Sequence, residues 1–152
     1  MYKRQYLDSS GAALKAGCLA KPTLIKPNQH EFAELVGVPL KSRADYISAA
    51  LNVSAHFGTI VVLSLGAEGA IAADNTEVYH AQPAPIKVVS AVGSGDCLLA
   101  GVSYGLSHGF TLAESLRYGV AAGTANAMQI GAGIFSLEDF QTVLSGTSVT
   151  TV

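Results

Sequence analysis

The sequence predicts an α/β layered domain with a mostly parallel sheet, and three observations predict it. Short apolar runs alternate with helical patterns through the first half of the chain. One run, Ile60-Val61-Val62-Leu63, is continuously apolar, the form a strand takes when both its faces are covered. Three polar or glycine-bearing loops each follow a predicted strand, and the carboxyl ends of strands are where open α/β sheets bind ligands. The 152 residues are 49% hydrophobic with a formal net charge of −2, which is the composition of one globular domain with a real core. No basic excess points to nucleic acid. Cys18 and Cys97 are too sparse for a disulfide framework or a zinc site, so a reducing, cytoplasmic setting is expected. The first residues have no apolar stretch behind their charges, so no signal peptide of ordinary form is expected.

In chain order, Gln5-Tyr6-Leu7 reads as a strand, Asp8-Ser9-Ser10-Gly11 ends it, and residues 12–19 have helical composition. Thr23-Leu24-Ile25 is a short strand closed by Lys26-Pro27. Asn28-Gln29-His30-Glu31 starts a short helix carrying Phe32, Leu35 and Val36, which Gly37 stops. Ser42 and Asp45 have capping-box spacing ahead of a longer helix with Ile47, Ala50, Leu51 and Phe57 inward and Gly58 as its stop. Residues 59–65 form the apolar strand, Gly66-Ala67-Glu68-Gly69 turns the chain, and residues 70–73 and 77–80 read as a hairpin about Asp74-Asn75. Residues 85–89 read as a strand entering Val92-Gly93-Ser94-Gly95-Asp96. A helix follows with Leu98, Leu99, Val102 and Leu106 on one face. Thr111 and Glu114 suggest another capping box for a helix running toward Met128, and Ser136 starts the last helix. The tail from Ser145 is polar and reads as frayed or as a short edge strand. Residues 118–137 carry no charge, but Thr124, Asn126, Gln129 and four glycines make them a poor membrane span; a buried helix followed by a loop is the better reading.

The three loops carry the chemistry. Asn28 and Glu31 complete a capping box, and the same residue types suit a hydrated Mg²⁺ beside a phosphate-binding Lys26. Ser64 to Gly69 reads either as a tight connection or as a nucleotide contact, since paired glycines alone are a weak signal. Gly93, Ser94 and Gly95 open a helix whose first N–H groups have no helical partner, an arrangement that attracts anions. Asp96 in that turn would repel an anion unless it has a further task. Accepting a proton from a hydroxyl that attacks a phosphoryl group is such a task, with the loop amides stabilising the charge that develops.

Residues 88–102, Val-Val-Ser-Ala-Val-Gly-Ser-Gly-Asp-Cys-Leu-Leu-Ala-Gly-Val, resemble the C-terminal signature of the phosphofructokinase B (PfkB) family of carbohydrate kinases. Lys26-Pro27-Asn28-Gln29-His30-Glu31 is similar to that family's lysine-proline-asparagine and N-x-x-E elements, and Ser64 to Ala70 to its ATP-contacting loop. The resemblance implies a ribokinase-like α/β/α fold with ATP and Mg²⁺ as cofactors. It implies Asp96 as catalytic base and Gly93, Ser94 and Gly95 as anion hole. Lys26, Ser64, Gly66 and Gly69 would contact the nucleotide, with Gly123 and Asn126 bordering adenine, and Asn28 and Glu31 would organise Mg²⁺ through water. The wording of the signature, with Asp8-Ser9-Ser10-Gly11-Ala12-Ala13-Leu14 upstream, most resembles the hexose-phosphate branch. The implied substrate is a phosphorylated ketohexose, tagatose 6-phosphate being favoured over fructose 1-phosphate.

The chain also departs from the family pattern. Ser90-Ala91 replaces an Asp-Thr or Asn-Thr pair, which argues against a monovalent-cation site. Cys97 sits where a helix start can lower a thiol pKa, but a small packed residue is the simpler reading. The histidines show no ligand spacing. The resemblance covers residues 1–152 as the C-terminal part of a longer family chain. The sugar-binding part and lid are therefore expected to be absent, and an exposed sheet edge is expected to drive homo-oligomerisation. No membrane partner is expected. Two alternatives stay open: a nucleotide-binding or oligomerising fragment without turnover, and a kinase acting on another sugar or a nucleoside.

Overall fold

The computed structural model describes residues 4–152. Its elements are β1 (Tyr6–Leu7), α1 (Gly11–Leu19), β2 (Leu24–Ile25), α2 (Gln29–Val36), α3 (Arg43–Phe57), β3 (Ile60–Ser64), a 3₁₀ turn (Gly66–Glu68), β4 (Ala70–Asp74), β5 (Glu77–Gln82), α4 (Ser94–Ser107), α5 (Leu112–Ala127), α6 (Leu137–Gly146) and β6 (Ser148–Thr151). Among the described residues six strands pair in chain order, β1-β2-β3-β4-β5-β6, giving the predicted α/β fold. The chain divides into two compact units. Among the described residues, one is residues 4–65 with Ile71–Val78 and Thr151–Val152, and the other is Gly66–Ala70 with Tyr79–Thr150.

In the first unit β1, β2 and β3 are parallel, with Tyr6 opposite Leu24 and Leu24 opposite Ile60. Parallel neighbours need crossover connections, and α1 and then α2 with α3 supply them. Both later helices begin as predicted. Asn28 and Ser42 each accept from the backbone three residues on, and Glu31 and Asp45 reach back in full capping boxes. Gly37 and Gly58 end them in the left-handed conformation at φ 76° and 64°, where a side chain is disfavoured. The buried core joins Leu14, Ile25, Phe32, Val61, Leu63 and Ile71, and each such side chain contributes roughly 1.5–3 kcal/mol. On α3 the deepest positions are Ala49, Ala50 and Ser54, while Ile47, Leu51 and Phe57 are only partly buried. Small residues bring that helix close to the sheet, and the larger ones spread over the rim.

The hairpin turn is one residue later than predicted, at Asn75-Thr76. Asp74 stays in β4 because its carboxylate accepts from the Glu77 N–H at 3.2 Å. The Asn75 N–H donates to Ser54 Oγ at 2.9 Å, and that hydroxyl donates to Thr59 O at 2.7 Å.

In the second unit α4 and α5 meet along small residues. A Cβ on Gly101 would lie 2.7 Å from Gly119 Cα, and one on Gly105 would lie 2.7 Å from Ser115 Oγ. On α4 the buried positions are Cys97, Leu98, Val102 and Gly105, so Leu99 and Leu106 are peripheral. α6 packs Val143 in a cluster with Ala121 and Ala125. Its end is capped by Arg117, which donates to Leu144 O at 2.9 Å and Thr147 O at 3.2 Å. Thr111 caps α5 through the Glu114 N–H, but Glu114 turns to Arg117 at 3.3 Å rather than completing a box. The polar tail forms β6.

The predicted strand at residues 85–89 is not a strand. Pro83 and Pro85 lack N–H donors for a ladder. The Val89 and Ser90 N–H groups instead both donate to Ala127 O, at 2.7 and 3.2 Å, tying the segment to the end of α5. Val88 and Val89 are about half exposed as a result. Among the described residues no helix is long and apolar enough to cross a membrane.

Candidate active site

Within the first unit, the Lys26 to Glu31 loop meets Ser64, the start of the second predicted loop. Asn28 pairs with Ser64 in an isolated parallel bridge, and the Ser64 N–H donates to Pro27 O at 3.1 Å. The ends of β2 and β3 therefore set Lys26, Asn28, Glu31 and Ser64 side by side. The capping box is symmetrical: Glu31 N–H to Asn28 Oδ1 and Asn28 N–H to Glu31 Oε2 are both 2.9 Å. Asn28 Oδ1 retains a lone pair and Glu31 Oε1 lies outside the box. Oxygen donors of this kind suit the water shell of Mg²⁺, which keeps several of its waters when bound. Lys26 is only 6% exposed, and its ammonium lies 3.1 Å from Asp8 Oδ2. A buried ammonium needs such a counter-ion. The sequence shows Asp8 only as part of a turn, so this pairing was not foreseen.

The Gly66 to Gly69 turn is fixed by its own unit. The Gly69 N–H donates to Gly66 O at 3.1 Å, and the buried His80 Nε2 hydrogen-bonds Glu68 O at 2.8 Å. Gly69 has φ 82°, and a Cβ there would overlap Ala81 O. Glycine is thus required at that position both by conformation and by space. His80 has no sequence signal for this role beyond its place on an apolar strand.

The Gly93 to Asp96 loop begins α4. Gly93 is the residue before the helix, left-handed at φ 80°, and no side chain caps the turn. A Cβ on Gly93 would come within 2.6 Å of Ala132 Cβ, so the loop lies flat against the segment after α5. The Ser94 N–H turns back to Ala91 O at 3.2 Å, and the Cys97 N–H closes the first helical turn on Gly93 O at 3.0 Å. The Gly95 and Asp96 amides lie between these, in the first turn, where no helical carbonyl is available to them. Asp96 is exposed, so its carboxylate is open to solvent at the mouth of this turn.

Gly123 and Asn126 lie under the loop. A Cβ on Gly123 would sit 2.8 Å from Ser94 O, and Asn126 is fully buried. Asn126 Nδ2 donates to Val92 O at 2.8 Å and Ser94 Oγ at 3.2 Å; its Oδ1 accepts from Gly133 N–H at 2.7 Å and Ile134 N–H at 3.3 Å. Burial pushes the Cys97 thiol up, partly offset by the Gly133 backbone N–H and aided to a lesser degree by the Asp96 charge. The packed reading of Cys97 therefore holds. Among the described residues no group of three or more His, Cys, Asp or Glu side chains could hold a metal.

A carbohydrate-kinase α/β fold of the ribokinase type accounts for this architecture. Phosphofructokinase-2 from Escherichia coli, solved in complex with potassium, superposes with a TM-score of 0.87 at 34% identity, over 92% of this chain and 46% of that one. The family description "pfkB family carbohydrate kinase" matches residues 1–139, and the chain belongs to that family. Its relatives include a 1-phosphofructokinase of Haemophilus influenzae, 38% identical over 96% of this chain and 47% of that protein. A tagatose-6-phosphate kinase of Staphylococcus epidermidis is 37% identical over 90% and 45%. The chain thus spans about half the length of the curated relatives it matches.

Proposed function

We propose that this chain is the nucleotide-binding and catalytic C-terminal part of an ATP-dependent kinase that phosphorylates a hydroxyl of a phosphorylated ketohexose. The observation that carries the reading is the uncapped start of α4, with an exposed Asp96 on its first turn. The Gly95 and Asp96 amides hold the transferring phosphoryl group, and Asp96 accepts the proton of the attacking hydroxyl. Lys26, its ammonium beside Asp8 Oδ2, is assigned to meeting phosphate charge, and Ser64 to Gly69 to contacting the nucleotide. Bound Mg²⁺ would neutralise phosphate charge, with Asn28 and Glu31 ordering its water shell. The signature wording favours tagatose 6-phosphate. Relatives named for each of the two substrate classes stand at 38% and 37% identity, so fructose 1-phosphate is the second reading. The working compartment is the cytoplasm.

ADP release is measured with tagatose 6-phosphate, fructose 1-phosphate and fructose 6-phosphate, for the wild type and Asp96→Asn. Loss of the base should lower turnover about 10²- to 10⁴-fold with little change in ATP affinity. Turnover unaffected by Asp96→Asn would remove the mechanism. ATP binding without turnover on any acceptor would instead favour the nucleotide-binding fragment. β1 stands at the sheet edge with two paired residues, and association through it is part of the proposal. Size-exclusion chromatography with light scattering should then give a dimer or larger, and a well-behaved monomer would remove the edge argument.

A further inference from the structure

We infer that Asn126 is a positioning residue for the anion-binding turn rather than a nucleotide contact; this rests on the phosphoryl-transfer reading of Gly93 to Asp96. Its side chain has no exposed surface, so it offers nothing to an adenine ring. Every polar direction of its amide is instead used on two loops of the same unit. Nδ2 spans Val92 O and Ser94 Oγ, on either side of Gly93, while Oδ1 gathers the Gly133 and Ile134 N–H groups. Gly93 itself packs against Ala132 of the second of these loops, which leaves no room for a Cβ. The turn that aims the Gly95 and Asp96 amides is therefore clamped between the end of α5 and the 131–134 segment. With the amide as its clamp, the turn keeps its shape before any ligand arrives.

The chemistry demands an amide at this place. The site must donate on one edge and accept on the other, which Asn does in one orientation only. An aspartate of the same shape would set an oxygen against Val92 O, and a leucine would leave buried carbonyl and N–H groups unsatisfied. A glutamine would push the clamp outward by a methylene in a packed setting.

The test uses Asn126→Asp, with ATP and ADP affinities measured by calorimetry in Mg²⁺ and amide hydrogen exchange followed across residues 92–96 and 131–134. A clamp on the γ-phosphoryl turn should weaken ATP about tenfold while leaving ADP within about twofold, and should speed exchange at both segments together. Equal weakening of ATP and ADP would make Asn126 part of the adenine side and overturn the inference. Unchanged affinities with unchanged exchange would overturn it too. If the wild type binds no ATP, the kinase reading fails, and coupled exchange of the two segments still decides whether Asn126 clamps the turn. Should the carboxylate prevent folding, Asn126→Ala, which leaves a void and no oxygen–oxygen clash, is read by the same measurements.

Discussion

At the scale of single residues, side chains with polar neighbours carry most of the specificity. Lys26 and Asp8 form such a pair, the carboxylate lying 3.1 Å from the buried ammonium just past the end of β2. Asp139 shows the electrostatic side of capping. The Ser136 hydroxyl is the largest influence lowering its carboxyl pKa, Gln129 adds to it, and partial burial opposes them; the donors lie at 2.7 and 3.0 Å. A carboxyl depressed on folding adds stability above its unfolded pKa of about 3.9 and loses it as pH falls through the lower folded value. Asp45, lowered chiefly by the Lys41 and Ser42 backbone N–H groups, acts in the same direction. Thermal unfolding midpoints should therefore hold steady from about pH 7 to 5 and fall below about pH 4, and Asp139→Asn should flatten part of that fall. An acid limb identical in the variant would show that Asp139 has no part in it.

At the scale of elements, the sequence makes local chemistry legible and long-range chemistry obscure. Both capping boxes, the Gly37 and Gly58 stops and the apolar run of β3 were readable because each depends on residues within a few positions. The segment before α4 was misread because alternating valines and isoleucine suit a strand, while its actual partner, Ala127 O, is remote in the chain. Asp8 and His80 were passed over for the same reason: each finds its partner at a distance in the chain. The Gly101 and Gly119 contact is equally remote, and it sets how closely α4 approaches α5. Gly101→Ala would drive a methyl into Gly119 Cα and Tyr118 O, both backbone and unable to move aside. We expect a loss of about 1–3 kcal/mol, seen as a lower urea midpoint with an unchanged slope. A midpoint equal to wild type would mean that the two helices can separate at no cost.

At the scale of the molecule, nearly the whole fold class was legible, since a family signature, capping motifs and strand order agree with one another. The loops of the candidate site could be located from the sequence, but the remote contacts that hold them, such as Asp8 with Lys26 and His80 with Glu68, could not. The start of α4 has a consequence of its own. A helix whose first turn no side chain satisfies and whose N-cap is a glycine is less stable than a side-chain-capped one by a few tenths of a kcal/mol, and an anion seated there would supply the missing partner. Occupancy and folding are then linked by mass action: a ligand at a hundred times its Kd should add about 2.7 kcal/mol. ATP with Mg²⁺ should raise the melting temperature in proportion to the logarithm of its concentration, and a melting temperature indifferent to ATP would mean that the folded chain does not bind it. The uncapped turn thus acts as a thermometer for its own ligand, so heat resistance can report binding without any phosphoryl transfer taking place.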